Sequence, residues 1–258
     1  METQKRKQNE KEKAERRMKI VAGLGSIDEY IPYVLAGADE LFCGYVPYNW
    51  TKKYGTVLPL NRREVLAYNV QLGSFSELEI LLAMIRKYRK PVHIAMNSLY
   101  YIPEQYEEIA DIVKQCMKIG FDSFILADPA LILYLRQKGI SCKIHLSGEV
   151  GEMNREAIKV FREMGIGRII FHRKNTVASM RQMIEAVNAE KLEFEAFALN
   201  ELCQFTGAFC NSLHCDEMGY LCRTTYWGDA EMEERMERVI KRTLEIEEQQ
   251  EQQYLCGK

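Results

Sequence analysis

No apolar run among the 258 residues reaches the roughly 18 that a membrane-spanning helix needs. The leading stretch METQKRKQNEKEKAERRMK is charged throughout and has no apolar core, so it does not read as a secretory leader. We therefore expect a cytoplasmic protein with no membrane partner. Net charge is scarce as well. A balance of −2 gives the chain no overall attraction to nucleic acid or to an anionic surface, although a local basic face is compatible with it. Several short catalytic signatures are absent. There is no glycine-rich phosphate loop, no HExxH and no GxSxG, and the GLG at Gly23 to Gly25 is too short for a dinucleotide fingerprint.

What remains is an ordinary globular composition, 47% hydrophobic and 28% charged, long enough for one large domain or two small ones. From Lys19 the pattern alternates between short apolar runs and segments of helical period. KIVAGLG, ELFCGY, PVHIAMN, FDSFILAD, SCKIHLS, GRIIFHR and LEFEAFAL read as strands. Between them lie helical segments, among them SELEILLAMIRKYRK, with Leu78, Leu81, Leu82 and Ile85 on one face. PEQYEEIADIVKQCMKIG opens with Pro103 and closes on Gly120, and NREAIKVFREMG is capped by Asn154 and ended by Gly165. Apolar strands alternating with helices imply a parallel sheet. Seven such units predict an α/β fold of the TIM-type (β/α) barrel class, incomplete or irregularly closed because no eighth unit follows.

The expected organisation is a charged extension over 1–18, the barrel over 19–200, a cysteine-rich segment over 201–225 and a charged helix over 226–258. The tail helix is a candidate contact for a homo- or hetero-oligomer. The connection YVPYNWTKKYGTVLPLNRREVLAYNVQLGSF after the second strand is long enough to suggest a functional loop.

Eight cysteines in a chain without a leader argue against a disulfide framework. Cys116 and Cys142 read as core. Cys203, Cys210, Cys215 and Cys222 stand apart, because they fall within twenty residues directly after the seventh strand, at gaps of six, four and six. Four thiolates suit a tetrahedral zinc site or an iron–sulfur cluster, and the wide gaps favour a cluster wrapped by a loop. Cys43, at the end of the second strand, competes as a ligand, and His214 can replace a cysteine.

In a barrel, residues just past each strand line one rim and form the default ligand site. That rim would carry Asn97, Ser98, Asp128, Ser147, Glu149, His172, Arg173 and Asn200. A lone strand-end histidine such as His172 is more often structural, and His93 and His145 read as core. Glu193 and Glu195 point to one side of their strand, either inward as acid–base candidates or outward.

These residues resemble the peptidase U32 family of collagenase-like proteases, from about Lys19 to Arg223. AGADELFCG is similar to the family's opening block. FSELEILLAMIRKYRKPVHIAMNSL carries Asn97 at an Asn position of the family, and GFDSFILADPALI matches at Asp128 and Pro129. KIHLSGEVGEMNREAIKVFREMG matches at His145, Ser147 and Asn154. EAFALNELCQFTGAFC resembles the family signature through Glu195, Cys203 and Cys210. The chain departs from the pattern at Leu199–Asn200 and Thr206–Gly207, in the wide spacing of Cys215 and Cys222, and in stopping soon after the signature.

The resemblance implies either a peptidase or an iron–sulfur protein that supports oxygen-independent hydroxylation of a small molecule or RNA. In the second case Cys203, Cys210, Cys215 and Cys222 would hold a 4Fe–4S cluster, with zinc as the alternative. Asn97, Asp128, Ser147 and Glu195 would bind or orient substrate. A hydrolase built on Cys203 and His172, or a non-catalytic partner subunit, are the competing expectations.

Overall fold

The computed structural model describes residues 18–55, 59–61, 71–187 and 192–198, together with Glu234, Glu237, Arg238, Lys241, Arg242 and Glu245, which are helical. The chain divides into two compact units, Met1–Cys222 and Arg223–Lys258. The described residues of the first form seven strands: β1 (Val21–Leu24), β2 (Glu40–Gly44), β3 (Val92–Met96), β4 (Ser123–Leu126), β5 (Lys143–Leu146), β6 (Arg168–Ile170) and β7 (Glu193–Glu195). They pair in chain order, and every pairing is parallel. Helices α1 (Tyr30–Ala36), α2 (Tyr48–Tyr54), α3 (Phe75–Tyr88), α4 (Pro103–Ile119), α5 (Pro129–Gln137), α6 (Arg155–Glu163) and α7 (Val177–Val187) fill the crossovers.

The helix ends follow the local chemistry. Ser74 caps α3, accepting from the Glu77 amide at 3.3 Å, while the Glu77 carboxylate accepts from the Ser74 amide at 2.9 Å. Asn154 caps α6 through the amides of Glu156 and Ala157. Helix α2 lies inside the long connection and was not predicted. Its seven residues give too short a window for periodicity, and its anchor is one fully buried side chain, Trp50.

The sheet is strongly curled. A guanidinium nitrogen of Arg168 on β6 lies 2.7 Å from a carboxylate oxygen of Glu40 on β2. Four inter-strand steps in a flat sheet would separate them by roughly 19 Å. The ammonium of Lys19, before β1, reaches to 3.6 Å from Glu193 on β7. This is the TIM-type α/β arrangement, with seven parallel strands curled into a partial barrel.

Curling creates two cores. The outer face of the sheet meets the helices through Leu41, Ile94, Phe124, Leu126, Ile144, Leu146 and Ile169, all buried. The inner face holds its own small apolar cluster of Ala95, Ile125 and Ile170 with Phe42 packed against it. Gly23 faces that cluster, where a Cβ would come within 2.8 Å of the Phe42 ring, so the ring fills the space a side chain on β1 would take.

Candidate barrel-mouth site

The inner face is layered, and the layers differ in chemistry. At the amino-terminal end of the strands lies a charged floor. Glu40, Ser123, Arg168 and Glu193 each open their strand, which brings them to one level. Arg168 is the hub. It donates to Glu40 on one side and to Glu193 and Glu195 on the other, the last at 2.9 Å. Lys19 adds a 2.6 Å bond to Glu40. Burial alone would raise the Glu40 carboxyl, but bonds from His93, Lys19 and Arg168 outweigh it and hold the group well below the usual carboxylate range. Glu195 is pushed the other way, because burial outweighs the Arg168 charge. The rings of His93 and His145 lie 4.4 Å apart. Burial, with the neighbouring His93 and Arg168 charges, pulls His145 down to about 3, so it is neutral. His93 is thus buried within the polar network, and His145 is buried beside it, its Nδ1 without a hydrogen-bond partner among the described residues.

Within the floor, Ser123 lies 2.6 Å from His93 Nδ1, and His93 Nε2 lies 3.0 Å from Glu40. A serine–histidine–carboxylate relay has the parts of a hydrolase. Here all three members are buried, and the carboxylate is already engaged by Arg168 and Lys19.

Above the floor sits the apolar layer of Phe42, Ala95, Ile125 and Ile170, and above that the carboxyl-terminal rim. There the Asn97 side-chain amide approaches the Ser147 hydroxyl at 3.5 Å. Ser147 also accepts from the Glu149 amide at 3.2 Å, which fixes its rotamer. The turn that follows needs glycine, because a Cβ on Gly148 would lie 2.9 Å from the Phe171 carbonyl oxygen. His172 is buried, its Nδ1 accepts from the Lys174 amide at 3.2 Å, and burial lowers its pKa. Arg173 pairs with Glu149 at 2.9 Å.

The four substrate-site candidates from the sequence therefore separate. Asn97 and Ser147 meet at the rim. Asp128 is also at the rim, with both oxygens engaged. One caps α5 through the Ala130 amide at 2.8 Å, and the other accepts from the Tyr106 hydroxyl at 2.8 Å. Glu195 turns inward to Arg168 in the floor, which answers the question of which way Glu193 and Glu195 point. Cys43 is fully buried in the outer core, on the opposite face of β2 from Phe42, and does not reach the rim. Cys116 and Cys142 are buried as expected, and burial pushes the Cys116 thiol up to about 12. Cys203, Cys210, Cys215, Cys222, His214 and Asn200 lie outside the described residues.

Among the described residues, no cluster of three or more His, Cys, Asp or Glu is placed to hold a metal ion. No helix among them is long and apolar enough to cross a membrane. The sequence reading missed the Arg168 hub. Its signal was there, as charged or hydroxyl residues at the first position of four strands.

The residue pattern of peptidase family U32 matches residues 25–253. The chain belongs to peptidase family U32. This U32 chain is 22% identical to the tRNA hydroxylation protein P1 of Bacillus subtilis (strain 168), over 81% of its own length and 46% of that protein. It is 25% identical to the tRNA hydroxylation protein P of Escherichia coli (strain K12), over 67% of its length and 34% of that protein. It thus spans less than half the length of either relative. Among solved structures it resembles a U32 peptidase at TM-score 0.48 and 14% identity, covering 69% of this chain and 67% of that one.

Proposed function

We propose that this protein supports the oxygen-independent hydroxylation of a tRNA nucleoside at the mouth of the barrel. The observation that carries the reading is the family match over residues 25–253, together with relatives that are named for tRNA hydroxylation. The geometry is compatible with it. The rim offers an amide at Asn97, an oriented hydroxyl at Ser147 and an imidazole at His172 whose pKa burial lowers, above an apolar layer. Such a set of fixed polar groups orients a polar ring by hydrogen bonds while the apolar layer keeps water from beneath it.

Cys203, Cys210, Cys215 and Cys222 follow β7 directly in the chain and form a donor set suited to a 4Fe–4S cluster. When bound, such a cluster supplies one-electron redox chemistry. The protein's own part is to bind the nucleoside through Asn97 and Ser147.

The peptidase reading has less support. The described serine–histidine–carboxylate relay is buried in the floor, on the far side of the apolar layer from the rim.

The experiment is complementation of an Escherichia coli strain lacking its tRNA hydroxylation protein P, with mass spectrometry of tRNA nucleosides. Restored hydroxylation that is lost in Cys203→Ala, with about four irons per chain after anaerobic purification of the wild type, is the expected result. Unmodified tRNA with the intact chain expressed and soluble overturns the proposal. Iron-free protein after anaerobic reconstitution removes the cluster from it.

A further inference from the structure

We propose that Tyr48, Tyr100 and Phe197 form a stacking surface around the barrel mouth that takes unpaired bases of RNA. The proposal rests on the tRNA reading above and adds where and how the RNA is held.

Among the described residues these three are the aromatic side chains that stand exposed, at 80%, 61% and 46%. The exposed aliphatic residues are mostly spread singly over the helices, as Leu35, Ile80, Leu133, Val160, Val177 and Ile184, with Met18 and Ile20 ahead of β1 at the opposite end of the sheet, and a scatter of that kind needs no explanation. The aromatics are not scattered. Tyr48 opens α2 just past β2, Tyr100 lies in the β3–α4 connection, and Phe197 follows β7. All three follow the carboxyl ends of parallel strands, so they share the end of the barrel that carries Asn97 and Ser147.

Each exposed ring stands on a rigid base. Trp50, fully buried and 4.6 Å from the Tyr54 ring, holds α2 beneath Tyr48. The Tyr101 hydroxyl, 2.6 Å from the Leu60 carbonyl, pins the loop that presents Tyr100. Phe194 stacks on Phe171 at 5.5 Å and fixes the strand that leads to Phe197. A ring held out by a buried anchor loses little conformational freedom when it is covered, which favours its use as a contact.

Cations accompany two of the three. Lys52 lies one helical turn from Tyr48 on the same face of α2 and is exposed. The Arg173 guanidinium, paired with Glu149 at 2.9 Å, lies 5.8 Å from the Phe197 ring centre. An aromatic face beside a cation matches the base-and-phosphate repeat of a single strand. It also explains how a chain of net charge −2 can meet RNA, since stacking supplies affinity that net charge does not.

The test uses the full chain and a single-stranded oligoribonucleotide carrying 2-aminopurine, whose fluorescence is quenched by stacking, alongside anisotropy with an unmodified tRNA transcript. Tyr48→Ala, Tyr100→Ala and Phe197→Ala should each weaken binding about fivefold to a hundredfold and relieve the quenching. Tyr48→Phe should keep both. Because the rings are exposed, thermal unfolding should be unchanged in every variant.

A triple alanine variant that binds and quenches like the wild type overturns the proposal, as does a wild-type chain that binds neither RNA. So does a triple variant that alters only self-association measured by light scattering, which would assign the surface to a second copy of the chain. Failure here is separable from failure of the hydroxylation reading. RNA binding that depends on the three rings, with no nucleoside modified in cells, refutes that reading and leaves this surface standing.

Discussion

The two ends of the barrel interior are both polar, yet they are polar in different ways. In the floor, Arg168, Glu40, Glu193, Glu195, His93 and Lys19 spend their hydrogen-bonding capacity on one another. At the rim, Asn97 and Ser147 touch at a long 3.5 Å, and His172 uses one ring nitrogen on the Lys174 amide. The floor ties β6 to β2 and β7 through buried charge, whereas the bonds of Asn97, Ser147 and His172 at the rim join amide, hydroxyl and imidazole groups, with Arg173–Glu149 as a charged pair. The comparison teaches that polarity inside a barrel is a poor guide to function until the chemistry of the bonded groups is compared.

The comparison is most exposed to Arg168→Met. Removing the guanidinium leaves Glu195 buried without its ion-pair partner and Glu40 with only Lys19 and His93. Breaking a buried pair from one side costs about 3–5 kcal/mol. Urea unfolding should show a loss of that size, and Glu40→Gln added to Arg168→Met should recover part of it. A loss below about 1 kcal/mol would mean that the floor is not what ties β6 to β2.

The next test is pH. His145 is neutral in the folded protein down to about 3, while an unfolded histidine takes its proton near 6.5. Below 6.5 the unfolded chain therefore binds a proton that the folded chain refuses, and stability falls as pH falls, by about 1.4 kcal/mol per unit. His172, also lowered, acts in the same direction. Glu40 adds its own loss only below about 4.5, where the unfolded carboxylate protonates first. Glu195 opposes these, because its raised pKa makes acid favourable to the fold. From pH 6.5 to 5 the histidine contribution dominates, and unfolding free energy should drop by about 2 kcal/mol. His145→Phe should flatten that slope, and an unchanged slope would remove His145 as its source.

How far this contrast was legible in the sequence depends on the range of the forces involved. The alternation of strands and helices, the cap at Asn154 and the parallel sheet come from local periodicity and turn chemistry, which a linear string displays. Helix α2 escaped because Trp50 carries it nearly alone. The floor escaped for a different reason. Glu40 and Arg168 are 128 positions apart, and only the curl of the sheet brings them within 2.7 Å. The same holds for Glu195. Its match to the family signature is local, whereas its bond to Arg168 depends on the register of β7 against β6. Asp128 was legible as a strand-end acid, but its place before Pro129 already marked it as a helix cap. That cap and the Tyr106 hydroxyl account for both of its oxygens.

Asp128 gives an intermediate effect. Asp128→Ala removes a helix cap and leaves the Tyr106 hydroxyl without its acceptor, and losing a cap of this kind costs about 1 kcal/mol. Thermal unfolding should report that loss. Asp128→Asn should recover most of it, because an amide oxygen can still accept from the Ala130 amide. If Asp128→Asn instead abolishes tRNA hydroxylation with stability intact, the carboxylate has a chemical role beyond the cap.

The smallest stability effect belongs to Asn97, and there the contrast between the two ends is sharpest. Its side chain is half-buried, and the bond to Ser147 is at the edge of useful length. Asn97→Ala should therefore change unfolding free energy by no more than about 1 kcal/mol, within the range of ordinary partly exposed positions. Hydroxylated nucleoside in the complemented strain should nevertheless fall sharply, because the proposed site uses this amide to orient the substrate. Asn97→Asp keeps the shape and removes the donor, so it should behave like the alanine variant if donation to substrate is what matters. Should both variants modify tRNA as well as the wild type, the rim is no more a working surface than the floor, and the site must be sought elsewhere in the chain.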